Sequence, residues 1–576
     1  MKVLLATLHS KFIHSSLALP CIAATCSGLK GVDISIKEFT TKEPLDRLIV
    51  DILDEGPDII GFSCYIWNIE KTLLLASGIK RVRPGILVVL GGPEVSYDAG
   101  NILKTNNAVD CIVKGEGEGV FRDFLDSVNM AGVAGLSHPG LRKAPGISYR
   151  TGGGIFDNGT APAMPDLDLI PSPFSLGLVE TGKPLVYYES SRGCPFTCAF
   201  CLSALDGQVR SFSMERIRED LSTLINAGAK QVKFVDRTFN YHAGRANAIW
   251  AFILEQNIAR RGRDSRFHFE IAADLLTDEN IETLKKVQPG VFRFEIGVQS
   301  IAEETLASVS RKSDASRLFS NVKRLVEETF VHIHLDLVAG LPGEDFSGFL
   351  ASLQRLFSAN PHHIQVEPLK VLKGSPMMDI AKKEGYTFSG VPPYRIITTP
   401  WLSEEEVERI ETIGRLLELV YNKGRFKNTL HIIRERTPLS EFFDGLSRYW
   451  RSAEIQTLSL DDLFETFWTF AKGVLSAESL PIFAGALSHD RCLADYPVAK
   501  GLPSYMARDL NDCRVTRSEI RKIRKKFDIA PHIQVKAFRY RFESCYGVDG
   551  GRDRLFIYLS GEGRKLEVIA MPVLAE

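Results

Sequence analysis

Two long stretches of the sequence alternate short apolar runs with segments of helical period, and this alternation constrains the fold more than any other feature. In residues 1–130 the apolar runs are VLLATL, VDISIKEF, DIIGFSCYI, ILVVLGG and VDCIVKGEGEG. Buried strands that alternate with helices predict a parallel, doubly wound sheet, which is a Rossmann-like α/β domain. Such sheets bind ligands in the crevice beyond the carboxyl ends of their strands. Those ends carry SCYIWN, GGPEVS and KGEGEG, so we expect a ligand crevice there.

The alternation resumes over residues 181–400 with six strand candidates: LVYYESSRG, QVKFVDRTF, RFHFEIAAD, VFRFEIGVQS, VHIHLDLVAG and HHIQVEPLKV. Six strand–helix units predict a partial (β/α)6 barrel whose site lies at the carboxyl mouth of the strands. The intervening residues 131–180 are dense in Gly, Pro and Asp and predict a linker with a small hairpin at most. Residues 401–576 begin helical and end in alternating strands, which predicts an α+β domain without a recognisable role.

Composition excludes some classes of function. The formal net charge of −1 argues against a broadly cationic nucleic-acid binder, so we expect no nucleic-acid partner. The sequence contains no run of about 18 uncharged apolar residues, so it predicts no membrane span. Ten cysteines in 576 residues do not make a disulfide framework, and seven of them are scattered. A reducing cytoplasm fits this usage of cysteine best.

Three cysteines lie within eight residues in the segment SRGCPFTCAFC (191–201). Cys194, Cys198 and Cys201 directly follow a predicted strand, where their thiolates can converge on one face of an iron–sulfur cubane. A structural zinc site needs a fourth ligand, and the bacterial ferredoxin pattern needs a further Cys-Pro. The spacing therefore predicts a [4Fe-4S] cluster with one iron left open to a substrate or cofactor.

The segment RGCPFTCAFC resembles the cluster motif of radical S-adenosylmethionine (SAM) enzymes, including the aromatic Phe200 before the third cysteine. FEIGVQS (294–300), SRK (310–312) and DLVAGLPGED (336–345) resemble strands four and five of radical SAM enzymes related to methylthiotransferases and oxygen-independent coproporphyrinogen oxidases. The resemblance implies that SAM chelates the open iron. One electron, from a donor such as flavodoxin or ferredoxin, then cleaves SAM to methionine and a 5′-deoxyadenosyl radical.

The same resemblance implies residues that contact SAM. Glu295, Gln299 and Ser300 are expected at the end of strand four, where relatives contact SAM, and Arg311 is expected to pair with its carboxylate. Asp236 follows strand two, where relatives carry Gly-Gly-Glu, and is expected to substitute for that motif. For each of these residues the alternative is a structural hydrogen bond at a strand end.

A doubly wound domain ahead of this barrel resembles the cobalamin-binding subclass, the class B radical SAM methylases. GGPEVS and KGEGEG resemble its corrin and nucleotide-tail loops, because glycine lets the backbone approach a large flat ligand. The resemblance assigns cobalamin contacts to Ser63, Gly91, Gly92, Gly115 and Glu116. The Asp-x-His-x-x-Gly motif that supplies a histidine beneath cobalt is absent, since neither His9 nor His14 matches it. Loop histidines that are hydrogen-bonded to the backbone are the alternative.

The function expected from the resemblance is methylation of an unactivated carbon by a radical SAM enzyme that uses a [4Fe-4S] cluster and cobalamin. One alternative keeps both cofactors but performs a cyclisation or rearrangement without methyl transfer. Two further alternatives are a tRNA methylthiotransferase, for which three more cluster cysteines are not obvious, and a cobalamin or redox sensor without turnover.

Overall fold

The structure, a computed structural model, describes residues 1–131, 141–256, 265–453, 455, 459–497, 502–506, 513, 515–542, 553–561 and 567–572. Residues 132–140 of the predicted linker lie outside the described residues. The chain forms two compact units, of which the first contains residues 1–345, 359–361 and 368–404. The second contains residues 346–358, 362–367 and 405–576.

The first sheet has seven strands in the order β2-β1-β3-β4-β5-β6-β7. Strands β1 to β5 pair in parallel, and β6 and β7 continue the sheet antiparallel as a hairpin. The strands are β1 (Lys2–His9), β2 (Asp33–Thr40), β3 (Ile59–Ser63), β4 (Leu87–Gly91), β5 (Cys111–Val113), β6 (Ile147–Thr151) and β7 (Gly154–Asp157). The helices are α1 (Ala18–Cys26), α2 (Leu45–Leu53), α3 (Ile69–Val82), α4 (Pro93–Ser96), α5 (Ala99–Thr105) and α6 (Gly117–Ala131).

Successive residues of these strands enter two separate apolar cores. Leu4, Ile60 and Val88 pack into one core, whereas Leu5 and Val89 pack into the other. A sheet with a core on each face is doubly wound, so the predicted Rossmann-like domain is confirmed. The hairpin predicted within 131–180 is also present, and it forms the edge of this sheet.

A second parallel sheet follows in the first unit. Five strands adjoin in the order β8-β11-β12-β13-β14, and each pairs in parallel with its neighbour. The strands from here to the end of this unit are β8 (Val186–Tyr188), β9 (Ser191–Arg192), β10 (Arg210–Ser211), β11 (Gln231–Phe234), β12 (Arg266–Ile271), β13 (Phe292–Gln299), β14 (His332–Ala339), β16 (Thr387–Phe388) and β17 (Ile396–Thr398). The helices are α7 (Met214–Ala227), α8 (Ala243–Glu255), α9 (Asp278–Leu284), α10 (Glu303–Ser308), α11 (Ala315–Glu328) and α13 (Met377–Glu384).

The second unit is mainly helical. It contains α12 (Phe346–Ser358), nearly all of β15 (His363–Pro368), α14 (Glu404–Leu416) after its first residue, α15 (Lys427–Arg434), α16 (Leu439–Ser452), α17 (Leu460–Val474), α18 (Leu480–Ala494) and α19 (Arg517–Lys526). Strands β18 (Gln534–Arg541), β19 (Asp553–Ser560) and β20 (Glu567–Pro572) form an antiparallel sheet. All six barrel strands and the late strands predicted from the sequence are therefore present. Among the described helices, none is long and apolar enough to span a membrane.

Candidate cofactor site

The three clustered cysteines lie in the loop that follows β8 and β9. Cys198 is buried, and Cys194 and Cys201 are half-buried. Gly193 opens the loop with φ +90°, and a Cβ there would lie 2.0 Å from the carbonyl oxygen of Gln208, so this position requires glycine. The Ala199 amide donates to Val309 O at 2.8 Å, and its carbonyl accepts from the Met377 amide at 2.9 Å. Backbone contacts on both sides thus fix the loop.

Within the described part of the chain, no three His, Cys, Asp or Glu side chains converge closely enough to hold one metal ion. A cubane does not require that arrangement, because each cysteine binds a different iron. Three thiols on one fixed loop therefore suit a cluster better than a mononuclear zinc, in agreement with the spacing.

Arg311 lies directly against the cysteine loop. Its Nη1 is 3.7 Å from Cys198 Sγ, and its Nη2 donates to Gly297 O at 2.7 Å. The guanidinium carbon lies 5.2 Å from the ring centroid of Phe196, between the first two cysteines. Burial raises the pKa of the Cys198 thiol, and the Arg311 charge opposes that shift. The residue expected to hold the SAM carboxylate thus turns both terminal nitrogens toward acceptors of the chain itself.

Asp236 is fully buried and lies two residues beyond the end of β11. Its Oδ1 accepts hydrogen bonds from the hydroxyls of Ser190 and Ser191, both at 2.5 Å, and its Oδ2 accepts from the Ser190 amide at 2.9 Å. Burial raises its pKa against the Arg245 charge and these hydrogen bonds. The Asp236 carboxylate therefore holds Ser190 and Ser191, which precede the cysteine loop. This agrees with the alternative of a structural hydrogen bond at a strand end.

Glu295 lies in the middle of β13, four residues before the strand ends, which corrects its expected position at the strand end. His268 Nε2 lies 2.9 Å and Lys233 Nζ 3.1 Å from its carboxylate, and Lys233 also contacts Glu270 at 3.3 Å. Burial disfavours the charged form, but these partners together hold the pKa of Glu295 well below its usual range. Glu295 belongs to an ionic network inside the barrel.

Gln299 ends β13 at a bulge. Its φ is +70°, which is rare for a residue with a side chain, and the register with β14 shifts between Gly297 and Gln299. Among the described residues, its buried Oε1 has no hydrogen-bond partner. Strained backbone and an unsatisfied buried acceptor are typical of ligand sites. Ser300, the next residue, donates to Glu344 at 2.6 Å.

A cavity of about 1050 Å³ lies at the carboxyl end of the first sheet. Its lining includes all five residues assigned to cobalamin, namely Ser63, Gly91, Gly92, Gly115 and Glu116. Gly92 has φ +107°, and a Cβ there would meet Cys64 O at 2.5 Å, so a side chain would not fit. Gly193, Phe200 and Cys201 of the cysteine loop line the same cavity. The first sheet and the cysteine loop thus share one space.

Glu116 lines the cavity, but its carboxylate is already paired with other groups of the protein. It accepts from both terminal nitrogens of Arg210 at 2.5 and 3.1 Å and from the Met164 amide at 2.9 Å. Of the two loop histidines, His9 lies 3.3 Å from Glu38, and His14 Nδ1 lies 2.8 Å from the Tyr187 hydroxyl. Both contacts are to side chains, whereas the alternative weighed for these histidines was a hydrogen bond to the backbone.

Two residues that line this cavity, Glu189 and Arg192, were not identified from the sequence. Glu189 directly follows β8, and burial raises its pKa to about 7 against the charge of Arg192. Arg192 contacts three carboxylates, with Nε 2.9 Å from Glu189, Nη2 2.5 Å from Glu118 and Nη1 3.8 Å from Glu116. The position of Glu189 after a strand was a usable signal, the same one that singled out Asp236.

Comparison with known families agrees with this arrangement. The B12 binding domain family matches residues 2–125, and the radical SAM superfamily matches residues 188–356. A protein family of unknown function matches residues 382–533. The chain therefore contains a region that matches the B12 binding domain ahead of a region that matches the radical SAM superfamily, and the resemblance found in the sequence is confirmed.

Two curated proteins are similar to this chain over more than half of its length. The chain is 26% identical over 384 residues to the 2-(S-pantetheinyl)-carbapenam-3-carboxylate methyltransferase of Streptantibioticus cattleyicolor, which covers 62% of this chain and 53% of that protein. It is 26% identical over 372 residues to the cobalamin-dependent radical SAM methyltransferase TokK of Streptomyces tokunonensis, with the same coverage. This chain thus spans about half the length of these relatives.

Among solved structures, the cobalamin-dependent SAM radical enzyme OxsB with aqua-cobalamin and S-adenosylmethionine bound superimposes with a TM-score of 0.56 at 16% identity. The match covers 85% of this chain and 83% of that one. At this identity the match supports the fold, and the fold class predicted from the sequence is confirmed.

Proposed function

We propose that the protein is a cobalamin-dependent radical SAM methyltransferase that acts on an unactivated carbon. The observation that carries this proposal is the cavity of about 1050 Å³, because residues of the cysteine loop and of the B12-binding domain line it together. When bound, SAM and the cluster supply a radical that removes a substrate hydrogen, and cobalamin supplies the methyl group. The relatives named as methyltransferases favour this reaction over a cyclisation.

Different residues of the chain would bind the cluster, cobalamin and SAM. Cys194, Cys198 and Cys201 would bind three irons of the cluster, and the loop contacts of Ala199 hold them in place. Gly91, Gly92 and Gly115 leave room for the corrin against the first sheet, with Ser63 beside them. Gln299, whose buried oxygen lacks a partner among the described residues, is our candidate for a SAM contact, together with Phe200.

Two further assignments belong to the same proposal. Residues 1–130 would serve cobalamin and residues 181–400 the radical chemistry, with 131–180 joining them and no role assigned to 401–576. Reduction of the cluster requires a low-potential donor such as a flavodoxin or ferredoxin. The described cysteines are all free thiols, which supports work in a reducing cytoplasm.

Anaerobic reconstitution of the full chain with iron, sulfide and hydroxocobalamin tests the proposal. We expect about one cobalamin and one [4Fe-4S] cluster per chain, and cleavage of SAM after reduction with dithionite. Alanine at Cys194, Cys198 and Cys201 should remove the cluster, while Cys26→Ala should keep it, because Cys26 is buried in a core of the first domain. A cluster that survives the triple substitution, or no retained cobalamin, contradicts the assignment.

The products separate methyl transfer from its alternatives. Methylation yields S-adenosylhomocysteine as well as 5′-deoxyadenosine, since SAM also recharges cobalamin with its methyl group. 5′-Deoxyadenosine without S-adenosylhomocysteine would favour cyclisation or rearrangement. A reconstituted, reduced chain that leaves SAM intact would favour a sensor.

A further inference from the structure

Arg311 contacts the cysteine loop, and its contacts differ from the pairing with the SAM carboxylate that the sequence led us to expect. We propose that Arg311 raises the reduction potential of the [4Fe-4S] cluster by donating a hydrogen bond to the Cys198 thiolate, instead of pairing with SAM. The inference rests on the proposed function, because it requires the cluster to form on Cys194, Cys198 and Cys201.

The geometry fixes the guanidinium on three sides. Nη2 donates to Gly297 O at 2.7 Å, which ties the side chain to the bulge at the end of β13. Nη1 points to Cys198 Sγ at 3.7 Å, within the range at which sulfur accepts a hydrogen bond from nitrogen. The ring of Phe196 lies against the guanidinium carbon at 5.2 Å, and such a contact favours a cation.

Neighbouring backbone contacts hold Arg311 in this position. The Arg311 amide donates to Leu306 O at 2.9 Å, and the Ala199 amide donates to Val309 O at 2.8 Å. The segment that carries Arg311 is therefore bonded to the same loop that carries the cysteines. The guanidinium itself is held by its bond to Gly297 O, which a shift away from Cys198 would have to break.

A positive charge at this place has a defined electrochemical effect. Reduction takes the cluster from [4Fe-4S]2+ to [4Fe-4S]1+ and adds one electron, which a low-potential one-electron donor supplies. Hydrogen bonds to cluster sulfurs and nearby charge are recognised determinants of the potential. A cation beside a thiolate stabilises the more negative, reduced form and thus raises the potential.

The same contacts argue against a SAM carboxylate as the partner of Arg311. A bidentate pair with a carboxylate uses two parallel N–H groups of the guanidinium fork. Here one terminal nitrogen donates to Gly297 and the other faces Cys198, so a pair that used both terminal nitrogens would compete with these contacts, and the buried Nε–H is the donor left without a partner among the described residues. Lys312, the next cation along the chain, is exposed and serves as a matched control.

The experiment compares reconstituted full-length wild type with Arg311→Gln, Arg311→Lys and Lys312→Gln in the absence of SAM. The cluster is titrated with Ti(III) citrate and mediators and followed by the EPR signal of the reduced state. We expect a more negative midpoint potential for Arg311→Gln, an intermediate value for Arg311→Lys, and the wild-type value for Lys312→Gln. SAM affinity, measured by anaerobic equilibrium dialysis, should be the same in all four proteins.

Each outcome separates this inference from the function on which it rests. A wild type without a cluster defeats the proposed function. If the wild-type cluster forms and its midpoint potential equals that of Arg311→Gln, the proposed role of Arg311 is overturned. If Arg311→Gln binds SAM more weakly at an unchanged potential, Arg311 contacts SAM instead. If Arg311→Gln retains no iron, the comparison of Arg311→Lys with Lys312→Gln decides, and equal potentials would contradict the inference.

Discussion

Asp236 accepts three hydrogen bonds from Ser190 and Ser191, and Arg245 Nη2 lies 4.0 Å from its Oδ1. Asn in its place keeps one oxygen and turns an NH2 group toward donors of the chain. We expect Asp236→Asn to lower the free energy of unfolding by about 2 kcal/mol, because buried donors lose a charged acceptor. A lower urea midpoint of the metal-free protein would show this.

The matched control for that substitution is Asp278→Asn. The Asp278 side chain is 91% exposed and forms a surface ion pair with Arg324, and such pairs contribute little to stability. Equal urea midpoints for the two variants would mean that the Asp236 contacts do not stabilise the fold. The reconstituted Asp236→Asn protein should also hold less iron, since Ser190 and Ser191 precede the cysteine loop.

Glu189 predicts a pH dependence of stability. Its pKa is about 7 in the folded chain against an ordinary value of 4.5, because burial outweighs the charge of Arg192. Between these values the folded chain binds the proton and the unfolded chain does not, so stability falls as pH rises from about 5 to about 7. Glu189→Gln should lack this component, on the order of 2 kcal/mol, when unfolding is compared at pH 5 and pH 8. Identical pH profiles for the two proteins would contradict it.

At the scale of elements, sequence reasoning identified every barrel strand but wrongly placed Glu295 at the end of β13. The apolar pattern of FEIGVQS marks a strand, yet the periodicity does not say which residue reaches the mouth of the barrel. Pairing with β14 and the bulge at Gly297 and Gln299 decide that, and both depend on a strand distant in sequence. Glu295 therefore lies in the ionic network with Lys233 and His268, and Gln299 lies at the mouth.

Gly297 tests the bulge directly. A Cβ at Gly297 would lie 2.2 Å from Gln299 Nε2, so Gly297→Ala must displace the Gln299 side chain. Because Nε2 is the far end of a flexible side chain that can move aside, we expect the unfolding free energy to fall by no more than about 1 kcal/mol. We also expect weaker SAM binding by the reconstituted protein. Gly85→Ala is the control, because nothing lies within 4 Å of a Cβ there, and its urea midpoint should match or exceed that of wild type. A Gly297→Ala variant with wild-type stability and SAM affinity would refute the proposed role of the bulge.

At the scale of the first unit, the domain order was predictable from motifs, but the contacts that join the B12-binding domain to the radical SAM strands were not. Lys183 pairs with Glu38, and Tyr394 donates to Glu94, in each case across a long stretch of sequence. On either side of the cysteine loop, Arg210 binds Glu116 in the loop after β5, and Arg192 binds Glu118 in the first turn of α6. KGEGEG looks like a ligand loop in sequence because glycines dominate it. The partners of its carboxylates, Arg192 and Arg210, are distant in sequence and become neighbours only in the folded chain.

Arg192 makes the strongest prediction at this scale. Its side chain is 13% exposed and lies among Glu189, Glu118 and Glu116, and the Glu118 side chain is 6% exposed. Removing the cation leaves buried carboxylates without their main partner, which typically costs about 3–5 kcal/mol. We expect Arg192→Met to lower the unfolding free energy of the metal-free chain by an amount in that range, which a lower urea midpoint would show. Retention of both cobalamin and iron after reconstitution should fall with it.

The companion variant Arg218→Met removes an exposed arginine from α7 and should leave stability and both cofactors unchanged. Adding Glu118→Gln to Arg192→Met should restore part of the stability, because it removes one of the uncompensated charges. Such a rescue would be specific to the charge contact, since a general loss of packing at Arg192 would not respond to Glu118. Equal midpoints for Arg192→Met with and without Glu118→Gln would mean that the contact between Arg192 and Glu118 does not account for the loss of stability.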